Sequence, residues 1–252
     1  MIETLILAIV QGITEFIPVS SSSHLFLFSD FLNFQNKSLS IDVSLHIGSF
    51  IAILTYFYKD IINFVKNKEL FIKIIISSIP VMFIGYILVQ SNLIENLRNI
   101  KIIAWTTIFF GVLLYLSDKY KLDKTIENNF NIKSAIIIGI FQVISLIPGV
   151  SRSGITITAA RLLNFNRVDA TKISFLLSVP TLGAVSIFGI KNILISSDIS
   201  FSILNIMAIF LSFLFSYLTI KYFLKFVKRF NLTLFVIYRI VLGLGLLALA
   251  YL

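Results

Sequence analysis

The sequence has no cysteine, and charged residues make up only 13% of its 252 residues. The absence of cysteine excludes disulfides, thiol nucleophiles and zinc sites built on thiolates. The shortage of charge, together with 58% hydrophobic residues and a mean hydropathy of +0.97, excludes an ordinary water-soluble domain. We therefore expect an integral membrane protein.

Ten apolar segments follow one another along the chain, at 2–17, 24–34, 41–58, 70–89, 102–116, 132–147, 154–163, 170–190, 201–223 and 232–252. They do not alternate polar and apolar residues as barrel strands do, so we predict an all-α integral membrane protein. Six segments approach the roughly 20 residues that a spanning helix needs, whereas four are too short to cross comfortably. The short segments form two pairs, joined by polar breaks at 18–23 and 148–153.

Each short pair is predicted to be a re-entrant hairpin, because irregular backbone at membrane depth is tolerated only where protein or a cavity surrounds it. The whole chain then forms one transmembrane domain of two repeats, 1–117 and 132–252, linked by the loop 118–131. Each repeat has a re-entrant helical hairpin plus three transmembrane helices. Because the repeats begin on opposite sides of the membrane, they form an inverted repeat, and the two breaks should face each other near the midplane.

Short similarities between the halves support this division. The spacing from glutamine through proline to serine at 11–20 resembles that at 142–151. Ser-Ile-Pro at 78–80 likewise resembles Ser-Val-Pro at 178–180. These matches are the traces expected of a repeat.

The basic residues orient the chain in the membrane. With this layout, fifteen of the 21 lysines and arginines fall on one side and four on the other, while Arg152 and Arg239 lie within segments. The lysine-rich side is cytoplasmic by the positive-inside rule. The formal charge of +9 is thus explained without a nucleic-acid partner.

The second break places an arginine and several hydroxyls between apolar runs. An arginine near the middle of a bilayer costs a few kcal/mol, so Arg152 should face a cavity and an anionic partner. Pro148 and Gly149 should break the helix, which restarts near Gly154 and leaves unpaired N–H groups beside Arg152. These are the parts of an anion cradle, and phosphate is the anion that such cradles most often hold.

The first hairpin carries a carboxylate. Gln11 and Glu15 lie four residues apart and share a helix face, and a serine-rich break and His24 follow. A carboxylate buried in the membrane is most easily explained by a cation, either Arg152 or a divalent metal. The hydroxyl of Ser21 lies near His24 as a possible proton acceptor, so the set offers a nucleophile, a base, a phosphate clamp and a metal ligand for phosphoryl transfer.

Simpler interpretations stay open for these residues. A serine-rich break before a histidine can be the N-cap of the next half-helix. Glu15 can be a proton or ion relay of a transporter, and Gln11 can make only an interhelical hydrogen bond. Asp42 and His46 share a helix face and are expected to be a supporting or gate element. Arg239 is expected to be an interfacial or interhelical cation, and Thr158 a hydroxyl that bonds back within its own helix.

At its two breaks the sequence resembles the undecaprenyl-diphosphate phosphatase family, the bacitracin-resistance type of integral membrane phosphatase. One motif is a (Glu/Gln)-x-x-x-Glu helix running into Pro-Val-Ser-Ser-x-x-His, here at 11–24. The other is Pro-Gly-x-Ser-Arg-Ser-x-x-Thr, here at 148–156. The two motifs together are far more specific than either alone, and the segment layout agrees along the whole chain.

The resemblance implies hydrolysis of undecaprenyl diphosphate to the monophosphate and inorganic phosphate at the extracytoplasmic side of a bacterial cell membrane. This reaction recycles the lipid carrier for cell-wall synthesis and gives bacitracin resistance. Carried over residue by residue, it assigns Ser21 as nucleophile, Arg152 as phosphate clamp, Glu15 as base or metal ligand and His24 as proton-transfer group. It assigns substrate-binding roles to Ser20, Gly149, Ser151, Ser153 and Thr156.

The resemblance also implies Mg²⁺ or Ca²⁺ as cofactor. Gln11 and Glu15 are the expected metal ligands, but Gln11 brings no charge, and Asp42 is a further candidate. The expected partners are a polyprenyl diphosphate lipid, the bilayer and a second copy of the chain as a homodimer. The alternative function is an inverted-repeat transporter or flippase of a phosphorylated polyprenyl lipid or another anion. Whether Ser21 attacks phosphorus or positions a water stays open.

Overall fold

A computed structural model describes residues 1–32, 34, 38–66, 68–91, 97–120, 122–195 and 202–251. Two basic residues of the charge pattern, Lys37 and Lys121, lie outside the described residues, as do Phe201 and Leu252 at the ends of two predicted segments. The described backbone is helical and contains no strand, apart from one isolated bridge between Lys124 and Phe165. The predicted all-α class is confirmed.

In chain order the helices are α1 (Ile2–Thr14), α2 (Ser21–Phe31), α3 (Leu39–Tyr56), α4 (Tyr58–Lys66), α5 (Lys68–Gln90), α6 (Ile100–Asp118), α7 (Ile126–Asn129), α8 (Ile132–Val143), α9 (Arg152–Leu162), α10 (Arg167–Ile195), α11 (Ile203–Arg229) and α12 (Thr233–Tyr251). Within the described ranges, six of them are long and apolar enough to cross a membrane, namely α3, α5, α6, α10, α11 and α12. The chain is therefore a multi-pass membrane protein. The four short predicted segments correspond to α1, α2, α8 and α9, whereas α4 and α7 lie in connections that we expected to be loops.

Each half packs its first short helix against a long helix of the other half. An added Cβ at Gly12 of α1 would lie 2.5 Å from Phe215 Cβ of α11. One at Gly139 of α8 would lie 2.6 Å from the carbonyl oxygen of Ser77 in α5. Glycine thus permits a close approach of two helix backbones at both places. This exchange of partners agrees with two halves related by a two-fold axis, although the inverted relation itself stays a prediction.

The two Ser-x-Pro triplets do not mark equivalent positions. Pro80 lies in α5, the second long apolar helix of the first half, whereas Pro180 lies in α10, the first of the second half. Reading them as traces of the repeat was wrong. The shared pattern has a local cause, because each preceding serine donates to a carbonyl of its own helix: Ser78 to Ile74 and Ser178 to Phe175.

A cluster of aromatic rings anchors the end of the first short helix. Phe16 is fully buried and packs edge-on against Phe175 of α10, with 5.3 Å between the ring centroids. Phe175 in turn contacts Phe57 and Phe223. Because Phe16 directly follows Glu15, the burial of Phe16 fixes the backbone position of Glu15 at the end of α1.

Candidate active site

The second break has the backbone that its sequence predicts. Ile147 is extended, with φ −79° and ψ 124°, so the helix ends before Pro148. Gly149 has φ +92°, and a Cβ there would lie 2.0 Å from Thr106 Oγ1, so only glycine fits. Gly154, near which we expected the helix to restart, already lies inside α9. The helix restarts earlier, at Arg152.

In each break the next helix begins directly after a serine with a left-handed backbone. Ser20 has φ 75° and is the N-cap of α2, and Ser151 has φ 72° and is the N-cap of α9. This conformation costs a residue with a Cβ about 1–2 kcal/mol. The Ser151 hydroxyl accepts the N–H of Gly154 at 3.1 Å. The two N-caps turn the starts of two half-helices into the same region of the protein.

Glu15 is where the two breaks meet. Its Oε1 accepts a hydrogen bond from Arg152 Nη2 at 2.8 Å, across 137 residues of chain. Its Oε2 accepts the Ser21 hydroxyl at 2.6 Å and Gln11 Nε2 at 3.0 Å. Only 7% of the Glu15 side chain and 14% of the Arg152 side chain are exposed, so this is a buried ion pair. The predicted meeting of the breaks, and of Glu15 with Arg152, is confirmed.

Two polar atoms of this cluster have no hydrogen-bond partner among the described residues. They are Arg152 Nη1, a donor, and Gln11 Oε1, an acceptor, and both are buried. Buried polar groups are nearly always satisfied, so such a pair marks a place that another molecule completes. The donor suits a phosphate oxygen, and the acceptor suits a cation or a water.

The His24 ring hydrogen-bonds to groups other than the Ser21 hydroxyl. Its Nδ1 lies 2.7 Å from the carbonyl oxygen of Ser20, to which it must donate. Its Nε2 lies 2.6 Å from the Tyr238 hydroxyl, from which a neutral imidazole accepts, and the two rings are nearly parallel. The carboxylate next to Ser21 is that of Glu15, and the roles of Glu15 as base and of His24 in proton transfer stay predictions. Tyr238 is one of nine tyrosines and belongs to no motif, so the sequence alone did not identify it as a site residue.

The other predicted substrate-binding residues mainly support the breaks. Ser153 donates to the Ile17 carbonyl at 2.9 Å and so ties the second break to the first. Thr156 is fully buried, and its hydroxyl lies 2.8 Å from the Arg152 carbonyl and 2.7 Å from Ser174 Oγ. The structure places Thr156 behind the site and not at its surface. Its hydroxyl stabilises the turn that carries Arg152.

Arg239 is an interhelical cation, as predicted. It is fully buried in α12, and its guanidinium donates to carbonyl oxygens in both breaks and in α6. The acceptors are Pro18, Thr107, Gly149 and Val150. Sequence reasoning identified the class of residue but not its place beside the candidate site.

A small cavity and an open groove adjoin the cluster. The cavity, of about 80 Å³, lies between the breaks and the first turns of α3, and its polar lining comprises Ser22, Ser29, Asp42, His46 and Arg98. The groove, of about 540 Å³, runs between α2 and α12. His24 and Tyr238 contribute its polar lining, and the rest is apolar, including Leu27, Phe31, Leu242 and Leu249. Asp42 and His46 thus border the site, as a supporting pair would.

The residues present fit a divalent cation only in part. No group of three or more histidines, aspartates or glutamates that could hold a metal occurs in the described part of the chain. Both Glu15 oxygens already accept hydrogen bonds, and Gln11 Oε1 is the unsatisfied oxygen beside them. Mg²⁺ binds in proteins through one or two carboxylates together with substrate phosphates. Glu15 and Gln11 fit that pattern with a phosphate-bearing substrate, but do not form a metal cage by themselves.

Comparison with known proteins identifies the family of the chain. The family described as bacitracin resistance protein BacA matches residues 4–245. The undecaprenyl-diphosphatase of Pelagibacter ubique is 49% identical over 252 residues, covering 100% of this chain and 98% of the relative. Those of Hahella chejuensis and Saccharophagus degradans are 40% and 37% identical, each over 98% of the relative. With its two breaks joined at Glu15 and its sequence matched almost from end to end, this chain belongs to the BacA family.

Proposed function

We propose that this protein hydrolyses undecaprenyl diphosphate to undecaprenyl phosphate and inorganic phosphate. One observation carries the proposal: the Ser21 hydroxyl lies 2.6 Å from the Glu15 carboxylate, which Arg152 holds from the other break. A hydroxyl, a base and a cation within hydrogen-bond reach are what phosphoryl transfer needs. The substrate is that named by the relatives, each an undecaprenyl-diphosphatase.

In the proposed reaction Ser21 Oγ attacks the terminal phosphorus while its proton passes to Glu15. An Oγ–P bond forms, the bridging P–O bond breaks, and undecaprenyl phosphate leaves with the bridging oxygen. Glu15 then passes its proton to the departing phosphate or to water. In the second step water attacks the phosphoserine, Glu15 takes a proton from that water and gives it to Ser21 Oγ, and hydrogen phosphate leaves.

Arg152 balances the charge that moves during this reaction. When Glu15 takes up the serine proton it loses its charge, so its ion pair with Arg152 weakens and the guanidinium can bind the phosphoryl oxygens. Arg152 Nη1 is available to them from the start. The N-termini of α2 and α9 add the positive ends of two helix dipoles. Donors fixed in advance around developing charge are a large source of catalysis.

The protein ligands of a divalent cation would be Glu15 and Gln11 Oε1. Bound there with the diphosphate, Mg²⁺ or Ca²⁺ would neutralise phosphate charge and polarise a phosphoryl oxygen. Because Glu15 is the single carboxylate of this pair, the diphosphate and water would supply the remaining ligands.

The surroundings of the cluster support a lipid substrate that enters from the extracytoplasmic side. The cavity lined by Arg98 and His46 suits the diphosphate, and the apolar groove between α2 and α12 suits the polyprenyl tail. Residues 37, 98 and 101 belong to the lysine-poor side, which the positive-inside rule makes extracytoplasmic. Hydrolysis there would return the carrier lipid to cell-wall synthesis and remove the diphosphate that bacitracin requires, in a bacterial cell membrane.

The transporter or flippase alternative has less support. A carrier of an anionic lipid needs a clamp such as Arg152, but it has no use for a hydroxyl hydrogen-bonded to a carboxylate at 2.6 Å. The homodimer stays a prediction, which the molecular mass of the detergent-solubilised protein would test.

The test is phosphate release from undecaprenyl diphosphate by purified wild type and Arg152→Ala, each with and without a chelator. We expect Arg152→Ala to lower the rate at least 10³-fold, because it removes the clamp and leaves Glu15 without its cation. Arg229→Ala removes an exposed arginine at the end of α11 and is the matched control, expected at the wild-type rate. Equal rates for wild type and Arg152→Ala would overturn the proposal.

A further inference from the structure

We propose that Arg239 is a positioning residue for this hydrolysis: it binds the backbone of both breaks at once and holds Ser21 and Arg152 in register. The inference rests on the proposed function. It does not place Arg239 in contact with the substrate, because the guanidinium is fully buried behind the breaks.

The contacts of Arg239 join three separate parts of the chain. Nη1 donates to the carbonyl of Pro18 in the first break at 3.3 Å and to that of Val150 in the second at 3.1 Å. Nη2 donates to Gly149 at 2.9 Å, and Nε donates to Thr107 of α6 at 3.1 Å. A guanidinium has five N–H donors in a rigid planar fork, whereas a lysine ammonium has three on a flexible stem. The geometry therefore uses a property that only arginine has.

These contacts act where the backbone is strained. Val150 immediately precedes Ser151, and Pro18 lies two residues before Ser20, the two serines with positive φ. Strained residues persist only where their surroundings fix them. The peptide that turns the Val150 carbonyl toward Arg239 turns the N–H of Ser151 the opposite way. Arg239 thus fixes the peptide planes that lead into both N-caps.

The charge of Arg239 is a second indication of function. Within the described part of the chain no carboxylate lies within ion-pairing distance of it, and its partners are carbonyl oxygens. A buried charge held only by dipoles is unfavourable, and an apolar side chain would serve packing better. Gly154 makes room for it, since a Cβ there would lie 3.0 Å from Nη1. The retained charge adds to that of Arg152 in favouring a diphosphate anion.

The test compares Arg239→Lys with wild type in proteoliposomes, by kcat and KM for phosphate release from undecaprenyl diphosphate and by thermal unfolding. Lysine keeps the charge and loses the fork, so we expect kcat to fall roughly 10- to 100-fold with KM nearly unchanged. Arg161→Lys is the matched control, because Arg161 is equally buried but binds backbone carbonyls at the far end of α9. It should lower the unfolding temperature and leave the kcat of the folded protein unchanged.

Two further variants keep the inference testable if Arg239→Lys does not fold. Gly111→Ala keeps the arginine at position 239 but sets a methyl group 3.2 Å from its Cβ, and should lower kcat several-fold. Gly85→Ala is its control, because the added methyl group meets only the Leu146 side chain and should leave kcat unchanged. For Arg239→Ala, added guanidinium should restore part of kcat, and urea, which has a similar shape but no charge, should restore less. With an active wild type, unchanged kcat in Arg239→Lys, or in Gly111→Ala where Arg239→Lys does not fold, would overturn the positioning role. An inactive wild type would instead overturn the proposed function.

Discussion

The two ends of α9 each carry a buried arginine paired with an acid, yet the two pairs differ in what surrounds them. Arg152 begins the helix and binds Glu15, while Arg161 lies in the last turn, 3.2 Å from Asp118. Nine residues of helix separate the arginines by roughly 14 Å. At the first pair, Arg152 Nη1 and the nearby Gln11 Oε1 have no partner among the described residues.

At the second pair one donor, Arg161 Nε, also makes no hydrogen bond, but it faces Asp118 Oδ1 at 3.2 Å, and the other donors and acceptors join chain segments. Asp118 accepts from Arg167 at 2.6 Å and from the backbone N–H of Leu232 at 2.9 Å. Arg161 donates to the carbonyls of Phe165, at 2.8 Å, and Tyr120. A buried ion pair by itself therefore does not identify a site. Buried polar atoms without a partner identify a site when they lie beside a nucleophile and a cavity. This property distinguishes Glu15 with Arg152 from Asp118 with Arg161.

The largest effect is expected from Ser21→Ala. If the first pair is the reaction centre, loss of the hydroxyl should lower phosphate release on the order of 10³-fold or more, because the nucleophile is gone. Rapid acid quenching of the wild type should also trap phosphate on Ser21. Thr55→Ala removes an exposed hydroxyl of α3 and should have no effect. A Ser21→Ala protein as fast as wild type would contradict the assignment.

A substitution in the second pair should lower the stability of the protein and leave the rate of phosphate release unchanged. Arg161→Met leaves Asp118 buried with one partner fewer, which we expect to cost about 3–5 kcal/mol of unfolding free energy. Thermal unfolding in detergent measures this loss. The kcat of the protein that remains folded should equal that of wild type. A large fall in kcat without a loss of stability would show that the two ends of α9 do not differ as described.

Gln11→Glu changes only the surroundings of the first pair, Glu15 with Arg152, and so tests how this pair differs from the second. A second carboxylate one helical turn from Glu15 repels it, so activity should fall without divalent cations and recover when Mg²⁺ is added. We expect the apparent Mg²⁺ affinity to rise roughly 10-fold. Gln142→Glu is the control, because Gln142 is an equally buried glutamine in α8, the short helix that precedes the second break. An equal Mg²⁺ response in both variants would contradict a role for residue 11 in metal binding.

The smallest effect is expected from Tyr238→Phe. This change removes the hydroxyl that donates to His24 Nε2 and keeps the ring stacked. One neutral hydrogen bond is worth about 1 kcal/mol, so kcat/KM should fall roughly fivefold. Steady-state phosphate release measures it. A loss as large as that of Ser21→Ala would mean that His24 and Tyr238 take part in the chemistry directly.

The sequence was sufficient for the helices and for the meeting of the breaks because both follow from local rules. Long apolar runs predict spans, Pro148 and Gly149 predict an interruption, and a buried Arg152 demands an acid. The short helices α4 and α7 were not predicted, since neither has a long apolar run.

The details of the site needed the structure because they depend on distant contacts. His24 is 214 residues from Tyr238, and Arg239 is 221 residues from Pro18. No local sequence pattern predicts either contact. The positive φ of Ser20 and Ser151 was also unpredictable, because serine seldom adopts that conformation and here the surrounding hydrogen bonds impose it.

The central claim is that the two breaks form one catalytic unit, and a double-mutant cycle on phosphate release tests it most directly. Glu15→Gln and Arg152→Gln are measured singly and together with undecaprenyl diphosphate. If the residues act as a unit, the double variant should be no slower than the slower single variant, because either change already disables the pair. If the two losses multiply in the double variant, Glu15 and Arg152 act independently and the claim is contradicted.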